Sequence, residues 1–131
     1  MTTALPPPPA FQVGPLTRTD IVRYAGASGD FNPVHHDEGF AQSAGLPSVM
    51  AHGMLSAGIL ASFVTRWFGA NSVFRFKVRF RERVWPGDTL SAQGQVIRQF
   101  DTAAGRRAEI ELTLNRQDGK PVITGSAEVA V

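Results

Sequence analysis

Residues 52–69 read HGMLSAGILASFVTRWFG. The apolar side chains Met54, Leu55, Ile59, Leu60, Phe63, Val64, Trp67 and Phe68 fall on nearly every side of the helix this stretch would form, which marks a core helix and not a surface one. At about 1.5 Å per residue it would run ~25 Å. Its small residues Ala57, Gly58, Ala61 and Ser62 leave room for a sheet to approach closely. Downstream the period changes from helical to two. Over residues 73–85, Phe74, Phe76, Val78, Phe80 and Val84 face one way and basic residues the other, the pattern of a half-buried strand.

The same period continues to the C-terminus. Pro86-Gly87-Asp88 is a turn, residues 90–100 a second strand, and residues 108–115 a third with Ala108, Ile110, Leu112 and Leu114 on one face. Asp118-Gly119 closes a hairpin into a fourth strand at 122–131. One apolar helix followed by a meander of strands, each with one apolar face, implies an α+β fold: a curved antiparallel β-sheet wrapped around a long central helix.

Upstream of the core helix, residues 16–27 carry a helix-start signal, with Thr17 as N-cap and Asp20 three positions on completing something close to a capping box. Residues 29–33 read as a turn, and a short helix is expected over 37–43 with Gly45 as its stop. The first twelve residues hold four consecutive prolines and lack the layout of a secretory signal, so they are expected to form a loose arm on a single domain spanning 1–131.

Composition narrows the function. With 43% hydrophobic and 18% charged residues the chain falls among soluble globular proteins. It has no cysteine, which excludes disulfides, thiolate catalysis and sulfur-ligated metal, and a cytoplasmic protein is expected. The longest apolar stretch falls short of the ~20 residues that a membrane crossing needs. Five basic residues (Arg75, Lys77, Arg79, Arg81, Arg83) crowd one segment, and without them eight basic residues stand against eleven acidic ones, a balance of −3.

Polar residues able to do chemistry in an apolar setting cluster in two places, residues 28–35 (SGDFNPVH) and 51–54 (AHGM). Asp30 and His35, five positions apart across a proline-containing turn, can converge on one small molecule and supply a carboxylate and an imidazole for acid–base work. Each residue also has a plainer reading. Asp30 suits a cap or turn, only one of the adjacent His35 and His36 is expected to face inward, and His52 suits a structural hydrogen bond. The three histidines have the count for a metal site, but their spacings fit no metal motif, and no metal is expected.

The stretch from Tyr24 to His35 (YAGASGDFNPVH), followed by HGML at 52–55, resembles the hydratase signature of the MaoC-like family. The resemblance runs from about Leu16 to Asp88, and within the family the chain resembles the dehydratase subunits of bacterial type II fatty acid elongation, particularly the catalytic B subunit. It implies the hot-dog fold, no cofactor, and reversible hydration of trans-2-enoyl thioesters or dehydration of (3R)-3-hydroxyacyl thioesters on coenzyme A or acyl carrier protein. Carried over by position, the catalytic aspartate falls on Asp30 and the catalytic histidine on His35, with Asn32 helping to hold the loop. Some members place a serine on the core helix; here Ala61 takes that place, with Ser62 adjacent. His52, Met54 and Ser62 are the expected substrate contacts.

Addition of water across the double bond needs a base for the water, a proton for C2 and a site for the enolate oxygen. Asp30 and His35 supply the first two, and the backbone N–H of Gly53, at the N-terminus of the core helix, suits the third. The basic stripe reads either as a solvated face neutralised by Glu109 and Glu111 on a neighbouring strand or as a steering surface for an acidic carrier. Nucleic acid fits less well, since the stripe lacks exposed interleaved aromatics. Two other readings stand beside the hydratase: a hot-dog thioesterase, for which residues 52–69 offer no carboxylate, and a non-catalytic subunit completing a partner's acyl tunnel. An open sheet edge predicts a homodimer, or a heterodimer with another hot-dog subunit.

Overall fold

A computed structural model describes residues 4–131. Helix α1 (Arg18–Ser28) starts at the expected capping box: Thr17 Oγ1 accepts from the Asp20 backbone N–H at 3.1 Å and the Asp20 carboxylate accepts from the Thr17 N–H at 2.9 Å. It ends at Gly29, whose φ of 74° is the left-handed conformation that glycine adopts without strain. A 3-10 turn (Pro33–His35) and helix α2 (Glu38–Ser43), capped by Asp37, lead to the core helix α3 (Gly53–Phe68).

Strands β2 (Val73–Phe80), β3 (Leu90–Thr102), β4 (Gly105–Arg116) and β5 (Pro121–Ala130) form an antiparallel sheet with a short strand β1 (Gln12–Val13), in the order β1-β3-β4-β5-β2. The sheet packs its apolar face on α3. Leu60, Phe63 and Val64 have no exposed surface, and Leu90, Ile110, Leu112, Leu114, Ile123 and Val129 close over them from the strands. Each such side chain stabilises the fold by roughly 1.5–3 kcal/mol. Gly94 sets how near the layers come: a Cβ there would lie 2.6 Å from the Trp67 ring and 3.1 Å from the Phe63 ring. The expected α+β layout is the observed one.

Three expectations about the fold are corrected. The proline-rich segment is not loose over its described part: the Pro6 carbonyl accepts from Trp67 Nε1–H at 2.8 Å, Leu5 packs on the core, and Phe11 lies 5.7 Å from Phe63, ring centre to ring centre. Residues 1–3 lie outside the described residues. The first long strand stops at Phe80, because the N–H groups of Arg81 and Glu82 both turn to the single carbonyl of Val122. A register shift between Val73 and Arg75 takes Phe74 off the apolar face and leaves it 53% exposed beneath the Arg107 guanidinium, so only Phe76 and Val78 of that strand's alternating apolar row pack on the core.

The basic stripe also differs from expectation. Strand β4, which carries Glu109 and Glu111, is separated from β2 by β5, and the residues opposite Lys77 and Arg79 are Ser126 and Thr124. Glu109 pairs instead with Arg98, and Glu128 with Arg107. Exposed aromatics do flank the stripe, Phe74 at one end and Phe80, 50% exposed, at the other. No helix among the described residues is long and apolar enough to cross a membrane.

Candidate active site

The loop between α1 and the 3-10 turn is held by its own short polar side chains. Ser28 Oγ accepts from the Asp30 N–H, Asp30 Oδ1 from the Asn32 N–H, and Asn32 Oδ1 from the Val34 N–H, at 3.1 to 3.2 Å. These are the local side-chain-to-backbone bonds that such residues favour in turns. They leave the other Asp30 oxygen 3.8 Å from His35 Nε2, too long for a direct hydrogen bond and short enough for one water to touch both.

His35 is the inward member of the histidine pair, 7% exposed, while His36 is exposed and donates from Nε2 to the Phe31 carbonyl. A carbonyl only accepts, so the 2.7 Å contact between His35 Nδ1 and the Met50 carbonyl places a proton on Nδ1, and in the neutral ring the Nε2 lone pair is then turned toward Asp30. That is the tautomer a base needs.

His52 caps the site from behind. Its ring stacks on His35 with centres 3.7 Å apart, meets the Tyr24 ring at 4.9 Å, and donates from Nε2 to the Asp30 carbonyl at 3.0 Å. Its other nitrogen, Nδ1, is buried without a partner among the described residues. Gly53 and Met54 open α3 directly after it, and their N–H groups take no backbone acceptor among the described residues, as at the start of any helix. Beside them lies a cavity of about 350 Å³, lined by His52, Gly53, Ser56, Phe80, Arg83 and Val122 among others.

Asp30, His35, Asn32, His52 and Gly53 therefore come together, but Met54 and Ser62 do not join them. Met54 is 61% exposed and makes no contact with the pair; like Asp30, Asn32 and His35 it is not among the residues that line this cavity, which reaches the pair through His52. Ser62 is exposed, two turns along the helix, with its hydroxyl bonded back to the Gly58 carbonyl at 2.9 Å. The serine that does line the cavity is Ser56, buried one helical turn after His52. The i to i+4 spacing from His52 was the available signal.

Asp30, His35 and His52 each place one possible ligand atom within 4.8 Å of the others. The donor set does not suit a metal. The two rings lie stacked in planes 22° apart, and His35 Nδ1 and His52 Nε2 are already engaged by carbonyls, which leaves one nitrogen on each ring.

The family model described as "MaoC like domain" matches residues 5–116. The chain belongs to the MaoC-like family. It is 34% identical over 122 residues to the (R)-specific enoyl-CoA hydratase of Rhodospirillum rubrum, covering 88% of this chain and 80% of that one. Among solved structures, the R-hydratase PhaJ1 of Pseudomonas aeruginosa superposes with a TM-score of 0.83 at 25% identity, over 97% of this chain and 82% of that one. A chain of the ChsH1-ChsH2 complex of Mycobacterium tuberculosis gives 0.84 at 23% identity, over 100% and 99%, and at that identity shows the hot-dog fold alone. The chain spans only 9%, 10% and 5% of three much longer curated relatives that it also matches.

Proposed function

We propose that this MaoC-like domain catalyses the reversible addition of water to trans-2-enoyl thioesters, forming (3R)-3-hydroxyacyl thioesters of coenzyme A or acyl carrier protein. The observation that carries the reading is the Asp30–His35 pair. A carboxylate oxygen and an imidazole nitrogen stand 3.8 Å apart, one ring away from the N–H groups that open α3. A water held between them gives its proton to the pair as its oxygen bonds C3. Charge moves onto the thioester oxygen, which the Gly53 N–H receives at the positive end of the helix dipole. The pair then returns a proton to C2 on the same face, so that one water is added in all. Asn32 positions the loop, His52 backs the pair, and Ser56 lines the adjoining cavity.

The thioesterase alternative lacks its usual carboxylate, since α3 contains neither Asp nor Glu. Asp30 is half exposed and the cavity is open in the single chain, which supports pairing with a second hot-dog domain through the free edge at β2. The ChsH1-ChsH2 complex is a precedent for a chain of this fold found in complex with a differently named one. The test is to incubate the chain with crotonyl-CoA and resolve the product by chiral chromatography. The 3R hydroxyacyl thioester supports the reading; the 3S product, or free coenzyme A without hydration, contradicts it.

A further inference from the structure

The sheet has two unequal edges. One is closed by the short strand β1, and the other is the whole length of β2, which pairs only with β5. Along β2 the residues alternate between faces. Phe76, Val78 and Phe80 lie opposite Ala127, Gly125 and Ile123 on the core side, whereas Arg75, Lys77 and Arg79 lie opposite Glu128, Ser126 and Thr124 on the outer side. Arg81 continues the outer row, donating from Nε to the Thr124 hydroxyl at 3.3 Å. None of Arg75, Lys77, Arg79 and Arg81 forms an ion pair among the described residues, and the one carboxylate in register with the row, Glu128, is held by Arg107 at 2.7 Å.

This row constrains what can add to the edge. Residues directly opposite one another in an antiparallel pair point to the same face, and a slip of one residue exchanges the faces. A second copy of β2 that kept its apolar side with the apolar side of the first would therefore bring Arg and Lys against Arg and Lys, in every allowed register. Like charges directly opposite destabilise a sheet. Carboxylates at the same places would instead satisfy a row of cations that form no ion pair among the described residues.

We infer that the β2 edge is built for a different chain: a second hot-dog domain whose edge strand carries acidic residues on its outer face, and not a second copy of this one. The inference rests on the pairing proposed above and adds the chemistry of the partner. Phe80 ends β2 and lines the cavity beside His52 while remaining half exposed, so a strand laid along this edge also covers the mouth of the site.

The experiment mixes the chain with its own charge-reversed form, Lys77→Glu/Arg79→Glu, after circular dichroism has shown the variant folded, and follows association by sedimentation velocity and native mass spectrometry. At low salt the mixed dimer is expected to form at least about tenfold more tightly than either homodimer, and the gain to fade at high salt as charges are screened. A parent homodimer as tight as the mixed one overturns the inference. The parent alone gives a second test that needs no variant: it should stay monomeric at low salt, with any self-association strengthening as salt rises, and a parent dimer that forms at low salt and weakens as salt rises overturns the inference. No substrate enters either measurement, so an inactive chain does not affect the outcome, and a failure here leaves the hydratase assay untouched.

Discussion

The rings of His35 and His52 lie face to face, 3.7 Å between centres and 22° from parallel. The stack couples two segments far apart in the chain, since His52 also ties the Asp30 carbonyl to the start of α3. His52 is thus a positioning residue for the pair. His52→Ala is expected to lower kcat/KM for enoyl hydration by about 10²-fold, the scale of loss when catalytic groups shift by an ångström. His52→Phe retains a stacking ring and should retain more activity. The loss in His52→Ala should fall on kcat with KM little changed and be partly rescued in His52→Phe, a split that a merely structural loss would not give; equal activities of His52→Ala and the parent would dismiss the stack.

Gly94 governs the distance between sheet and helix. A methyl group there falls 2.6 Å from Trp67 and 3.1 Å from Phe63, with Leu112 at 3.4 Å. Gly94→Ala should destabilise the fold by about 1–3 kcal/mol in urea titrations, the usual cost of overpacking. Gly26, where an added methyl meets nothing within 4 Å, is the control, and Gly26→Ala should cost nothing.

The capping box of α1 sets an acid-sensitive contribution. The Thr17 backbone N–H, and then the Thr17 hydroxyl, hold the Asp20 carboxyl below its ordinary value of 3.8. A carboxyl whose folded-state pKa is depressed contributes stability that is complete above the unfolded value and is lost as pH falls through the folded one. The stability difference between the parent and Asp20→Ala, measured by denaturant titration, should therefore be constant near neutrality and shrink below about pH 4. Thr17→Ala should cost about 1 kcal/mol at neutral pH.

Ser56 is buried where the cavity meets α3. Ser56→Leu would fill part of the 350 Å³ space. Steady-state kinetics should show KM for a long enoyl thioester rising roughly tenfold, with crotonyl-CoA affected less, since each methylene in an apolar pocket carries only a modest discrimination. An equal effect on both chain lengths would place the acyl chain elsewhere.

What the sequence reveals here follows the range of the interactions involved. The Thr17–Asp20 box, the Gly29 stop and the loop joining Asp30 to His35 are formed by neighbours within a few residues, and periodicity suffices for α3 and the strands. The misreadings are long-range. Strand β1 is two residues long and exists because Gln12 and Val13 meet Ser91 and Leu90. Phe80 ends β2 because Val122, over forty residues away, takes the next two N–H groups. Nearness in sequence and family position put Met54 and Ser62 at the site, yet α3 turns them away from the cavity that Ser56 faces. The order of the strands, which separates Glu109 and Glu111 from the basic stripe, has no signature in any one strand.

The most direct test of the central claim is the absorbance of the enoyl-thioester band during incubation of the chain with crotonyl-CoA and a longer trans-2-enoyl-CoA, beside Asp30→Asn and His35→Ala. The band should disappear with the parent and decay about 10²–10⁴-fold more slowly with either variant, the scale of acid–base catalysis. A parent as slow as its variants on both substrates, with or without an acidic-edged hot-dog partner supplied, would contradict the assignment of Asp30 and His35 as the catalytic pair.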